Sequence, residues 1–211
     1  ATPTENEFVT FEITDVAPIA VAKKYTGISA SLVAHIKNTR TPFSIDFGVG
    51  DVIVPKQEKR KIPTQLDDFA SPTVNTYSLE TTIAEKLDAI LDLMEFSSQM
   101  KDYYDIYYLA NKFDFDGKVL TEALKKTFEN RGHTFTIEQF EQVMSFANDS
   151  AMQKKWKAFY RKIDTKTDDF NTVLKTIKQF LTKPFTAAVK DEKFTDQWYS
   201  NENKWNKEIQ K

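Results

Sequence analysis

The stretch Thr76–Leu93, TYSLETTIAEKLDAILDL, decides the fold, because the hydrophobic period of the chain changes there. From Ser78 onward Leu79, Ile83, Leu87, Ile90 and Met94 recur at helical spacing, and Ser78 has the side chain to cap the first turn. Upstream the period is two. FVTFEIT (Phe8–Thr14) sets Val9, Phe11 and Ile13 against Phe8, Thr10 and Glu12, the pattern of a half-buried strand. ISASLVAHIK places Ile28, Leu32 and Ile36 on one strand face, and TPFSIDFGVGD does the same with Phe43, Ile45 and Phe47. Thr39 to Pro42 is short enough to serve as the loop of a hairpin between these two, and Gly48 and Gly50 mark the strand's end.

Downstream the helical period persists. It predicts helices over Met100–Lys112, Gly117–Glu129 (with a stop near Arg131–Gly132), Ile137–Phe146, Ser150–Arg161, Asp168–Leu181 and Asp191–Lys207. Between Asp51 and Thr76, lysines and Pro55, Pro63 and Pro72 interrupt any period, so this segment reads as a surface connector. The chain is therefore α+β, β first and α afterwards. A sheet and connector occupy 1–75 and a mainly helical domain 76–211.

Composition excludes several classes. In 211 residues there are no cysteines and two histidines, so disulfides, thiolate metal sites and histidine-rich zinc sites drop out. A net charge of −2 gives no global pull toward nucleic acid, though a local patch such as KKWKAFYRK (Lys154–Lys162) can still touch phosphates. No apolar run approaches the ~20 residues that span a bilayer. ATPTENEF is not an intact signal peptide, and a cytoplasmic location is the expectation.

Three features carry candidate chemistry. Asp46 alternates with Ile45 and Phe47, so it projects from the opposite strand face: either a solvated carboxylate or, on a central strand, a rigid oxygen ligand for Mg²⁺. Lys86 borders the buried helical stripe, where a lysine must snorkel, pair or enter a cleft suited to phosphates. By the same helical wheel Glu85 and Asp88 are expected in solvent. In MKDYYDIYYL, Asp102 and Asp105 share a helix face with Lys101 beside them. Asp102 suits the helix dipole as a first-turn charge. Asp105, set among tyrosines, needs a partner, or else its pKa rises toward that of a general base.

Together with EALKKTFENRG (Glu122–Gly132), the Tyr-x-x-Glu-x-x-x-Ala-Glu-Lys-Leu and Met-Lys-Asp-x-x-Asp helices resemble the AbiEii/AbiGii nucleotidyltransferase toxins. SIDFGVGD is similar to the family's hydrophobic-Asp-hydrophobic strand, and IPTQLDDFASPTV to its proline-punctuated connector. The resemblance implies the remnant of a polymerase-β-like nucleotidyltransferase sheet followed by a helical domain. It implies transfer of a nucleoside monophosphate from a Mg-NTP to an acceptor hydroxyl, on RNA such as tRNA, with Mg²⁺ as cofactor and a cognate antitoxin as partner. Carried over by motif, Asp46 is a catalytic and metal-binding carboxylate, Lys86 faces the triphosphate, and Asp105 orients or deprotonates the acceptor. Lys101 and Asp102 form the substrate-binding surroundings of Asp105.

The family's first motif, a Gly-Gly/Ser-Thr turn followed by an Asp-x-Asp/Glu strand, has no counterpart here. This departs from the pattern at the first metal-binding element. The expectation is a truncated toxin lacking that element and inactive by itself. The alternative is a degenerate paralogue or non-catalytic interaction module, for which Trp156, Trp198 and Trp205 would form a binding surface or else helix-packing core.

Overall fold

The computed structural model describes residues 8–19, 27–48, 50, 52–65, 68–96, 99–163 and 168–207. Asp51 of the strand motif, Leu66 and Asp67 of the connector, and Ser97 and Ser98 before the second helix lie outside them. The chain divides into two compact units, Ala1–Asp51 and Val52–Lys211. The division expected near residue 75 thus falls inside the second unit.

The first unit is an antiparallel sheet of β1 (Thr10–Pro18), β2 (Ile28–Ile36) and β3 (Thr39–Phe47), in that order. The turn between β2 and β3 is not Thr39–Pro42. Ile36 pairs with Thr39, so Lys37 and Asn38 alone form the loop and Lys37 takes φ +51°. Thr39 to Pro42 belong to β3. Pro42 cannot donate to a ladder, and β3 is an outer strand among the described residues, a position that needs no donor on one side.

The register sorts side chains by chemistry. Ile28 pairs with Phe47, Ala30 with Ile45 and Leu32 with Phe43, while Phe11 and Ile13 of β1 stand opposite Ala34 and Leu32. Phe11 and Phe43 meet edge to face with centroids 6.0 Å apart, which places them on one apolar face. The other face is mostly polar, with Glu12, Ser29, Ser31, His35, Arg40, Ser44 and Asp46 beside the pair Val33 and Pro42.

The second unit opens with a ribbon where a plain connector was expected. β4 (Glu58–Lys61) pairs antiparallel with β5 (Thr73–Thr76). Ser78 then caps α1 (Leu79–Leu93) by accepting from the Thr81 N–H, and α2 (Met100–Lys112) follows. After the two-residue strand β6 (Phe115–Asp116), α3 (Gly117–Arg131) ends on Gly132, which takes the left-handed conformation at φ +68°. Next come α4 (Ile137–Ser145), opened by a capping box of Thr136 and Gln139, and α5 (Ser150–Tyr160). The long helix α6 (Phe170–Lys190) closes the helical part, with Ile83, Leu87, Leu120, Leu124, Ile177 and Phe180 in the core.

The helix expected over Asp191–Lys207 is absent. That segment forms β7 (Gln197–Tyr199) and β8 (Lys204–Asn206), a hairpin that extends β6 into a small sheet. The helix expected to stop at Leu181 instead continues through Pro184. Proline has no N–H to offer the carbonyl four residues back, here Phe180. The indole N–H of Trp205 donates to that carbonyl at 2.8 Å, so the orphaned acceptor is satisfied from β8. Trp198 donates likewise to Ala110 at 2.7 Å, and Trp156 to the Asp168 carbonyl at 3.1 Å. All three tryptophans are buried, so they pack the core and form no binding surface.

Candidate functional site

The site is built on the start of α1 and the start of α2. Ser78 anchors α1 twice: it accepts from Thr81 N–H at 3.1 Å and donates to the Val54 carbonyl. Thr81 Oγ1 also donates to Val54 O at 3.1 Å and accepts from Val54 N–H at 2.8 Å. These buried bonds pin the incoming chain to the first turn and so set the rotation of α1. Lys86, two turns in, then lies at the margin of the buried stripe and faces α2.

Lys86 Nζ stands 2.9 Å from Asp102 Oδ1 and 2.7 Å from Asp105 Oδ2. Lys101 Nζ meets Asp105 Oδ2 at 2.5 Å across one turn of α2. The side chains of Lys86, Asp102 and Asp105 are about one-fifth exposed (19%, 19% and 20%), whereas Lys101 is 67% exposed. The structure therefore brings four of the five predicted residues into one cluster of two cations and two carboxylates. Burial alone pulls the Lys86 ammonium down. Its hydrogen bonds to Asp105 and Asp102 outweigh that, so the net shift is upward and Lys86 stays charged at neutral pH. Asp102 combines a first-turn position on α2 with its ion pair to Lys86. Asp105 is partnered, as a carboxylate among tyrosines must be.

Asp46 belongs to the other unit. It lies on the outer strand β3 opposite Ser29, exposed. It is not on a central strand of the described sheet, and no group of three or more His, Cys, Asp or Glu suited to a metal occurs among the described residues. Mg²⁺ demands near-ideal octahedral oxygen geometry and dehydrates reluctantly. A single strand carboxylate does not meet that demand, so the described residues do not fit a Mg²⁺ clamp.

A second charged cluster, on the α3 side of α1, was missed. Asp88, expected in solvent, is buried with a side-chain exposure of 2%. Arg131 Nη1 donates to its Oδ2 at 2.9 Å, and His133 Nδ1 bonds its Oδ1 at 2.8 Å. Arg131 Nη2 also lies 3.4 Å from Glu85 Oε1. The only signal in the sequence was that an arginine and a histidine flank the helix-stopping Gly132. Two tyrosines of α2 are also perturbed. Burial pushes the Tyr103 phenol well above its usual range, and its hydroxyl has no protein partner among the described residues. Burial, then the hydrogen bond to Asp168, push Tyr107 up to about 12.

Residues 2–191 match the family model of the AbiEii nucleotidyl transferase toxin of type IV toxin–antitoxin systems. The chain belongs to this family. The match takes in the strand of Asp46, both motif helices and the whole of α6. No curated protein and no solved structure gave a match. Membership makes this AbiEii chain part of a nucleotidyltransferase toxin family and implies a cognate antitoxin. No helix among the described residues is long and apolar enough to cross a membrane.

Proposed function

We propose that this AbiEii toxin is a cytoplasmic enzyme that transfers a nucleoside monophosphate from a Mg-NTP to a hydroxyl of RNA, such as tRNA, and that its chain supplies the acceptor side of the reaction. The observation that carries this reading is the 2.7 Å contact between Lys86 and Asp105, which joins the two family motifs at a solvent-accessible edge.

The chemistry follows from the cluster. The acceptor oxygen forms a bond to the α-phosphorus, the bond to the bridging oxygen of the β-phosphate breaks, and pyrophosphate departs. Both lysines meet Asp105 through Oδ2, which leaves Oδ1 to take the acceptor's proton. Lys86 and the more exposed Lys101 supply positive charge toward the phosphates, while Asp102 holds Lys86 in place. With the Gly-Ser/Thr…Asp-x-Asp motif missing from its 211 residues, the chain alone is expected to transfer little.

The test is incubation with α-labelled NTPs, Mg²⁺ and total tRNA. The chain alone should label nothing, and the same chain given the missing motif in frame upstream should label RNA. Robust labelling by the 211-residue chain itself would overturn the half-site reading.

A second reading, a non-catalytic interaction module, draws on the first unit. There Ile13, Val16, Ile28, Ile45 and Phe47 lie exposed on one sheet face. It predicts that growth arrest on expression of the chain extended by the missing motif is indifferent to Lys86→Met and Asp105→Asn. The transferase reading predicts that both relieve it.

A further inference from the structure

α5 and the segment that follows it carry Lys154, Lys155, Lys157, Arg161 and Lys162, with no aspartate or glutamate between Ser150 and Ile163. This is a strong local excess of positive charge in a chain whose net charge is −2. Lys154, Lys157, Arg161 and Lys162 are exposed, while Lys155 donates to the Glu95 carbonyl at 2.8 Å.

The same helix is joined to α2 by aromatic rings. Tyr104 stacks on Tyr108 at a centroid distance of 6.2 Å and an interplanar angle of 27°. Tyr104 also meets Phe159 at 5.9 Å. Tyr108 is 47% exposed and Tyr160 39%, so both rings reach solvent. On the helical wheel of α2, Tyr108 follows Asp105 by three residues and Lys101 by seven, so Tyr108 continues the face that carries the ion cluster. α5 and the start of α6 border a cleft of about 430 Å³ whose lining includes Lys157, Tyr160, Asp168 and Asp169. Both acids are hydrogen-bonded: Asp168 accepts from Tyr107 and Asp169 caps α6.

We propose that α2 and α5 form a platform for single-stranded RNA, which leads an acceptor end to Asp105. Bases stack on Tyr108 and Tyr160, and Lys154, Lys157, Arg161 and Lys162 follow the phosphates. Exposed rings interleaved with cations suit a single strand, because each unpaired base offers a π-face and each nucleotide a charge. A duplex hides its bases and would use the cations alone. The proposal rests on the transferase reading only for the direction of the strand toward Asp105.

The test is fluorescence anisotropy of the chain with a labelled 12-nucleotide single-stranded RNA, a blunt RNA hairpin and polyglutamate as competitor. Tight single-strand binding is expected, with a slope of log K against log salt near about −3, from four phosphate contacts at roughly 0.7 each. Tyr108→Ala should weaken binding by about tenfold, within the range one lost stacking contact produces, while Tyr108→Phe restores it. Lys157→Ala should lower the slope by about 0.7. Unchanged binding by folded Tyr108→Ala and Lys157→Ala variants would overturn the platform. Equal competition by polyglutamate would also overturn it, in favour of an acidic protein partner. These results are separable from the transferase reading. Growth arrest by the motif-extended chain that depends on Lys86 and Asp105 but ignores Tyr108 and Lys157 leaves transfer standing and removes the platform. RNA binding that follows Tyr108, alongside arrest indifferent to Lys86, does the reverse.

Discussion

Lys86 is held by two carboxylates, and what its removal costs follows from what it leaves behind. Lys86→Met would place Asp102 and Asp105 side by side without the shared cation. A fully buried pair broken in this way costs about 3–5 kcal/mol, but one-fifth exposure lets water screen the remainder, so about 1–2 kcal/mol is expected. Urea melts measure it. Adding Asp102→Asn to Lys86→Met should recover part of the loss, because the residual repulsion is then removed. The pH dependence has a definite sign. The folded Lys86 pKa is raised, so its stabilisation is fully present below the ordinary lysine value of about 10.5 and is lost as pH climbs through the higher folded value. Melts between pH 6 and 9 should show no pH dependence from Lys86, whose stabilisation is complete there, and a loss should begin above about pH 10.5. Asp88 is the harsher case, since its partners Arg131 and His133 would be stranded against a buried site. Asp88→Ala should cost about 3–5 kcal/mol, more than any change at Lys101. Lys86 was legible because its place beside the apolar stripe demanded a partner, and acids stood one helix on. Asp88 was not, because its partners lie 43 and 45 residues away and a helical wheel cannot see which face a later helix covers.

At the scale of elements, local signals held and remote ones did not. Ser78 as cap, Gly132 as stop and the Tyr-rich helix over Met100–Lys112 were all readable, because capping chemistry and helical period act within a few residues. Helix α6 overran its expected end because Trp205, twenty-five residues from Phe180, replaces the hydrogen bond that Pro184 lacks. The strands β7 and β8 were unreadable for a related reason: three residues each, they pair with one another, and β7 is anchored by pairing with β6, about eighty residues earlier. Trp205→Phe keeps the ring and deletes the donor. It should therefore cost about 1–3 kcal/mol, the penalty of an unsatisfied buried carbonyl, and hydrogen exchange should quicken around Pro184. Trp205→Phe stability equal to the parent's would mean that the carbonyl finds another partner.

Over the whole chain, the α+β class and the order of sheet before helices were legible from the change of period at Ser78. Val54 reads as connector in the sequence yet is buried beneath the start of α1. The family was legible because its motifs are helical and local, and the match over residues 2–191 places the chain among the AbiEii toxins. Lys86 and Asp105 come from different helices, and their meeting is the central claim's structural support. The direct test is labelled nucleotide transfer to tRNA by the chain with the Gly-Ser/Thr…Asp-x-Asp motif supplied, comparing the parent with Asp105→Asn. Loss of a proton acceptor predicts a fall of about 10²–10⁴-fold with the melting transition retained. Undiminished transfer by a folded Asp105→Asn chain would contradict the account.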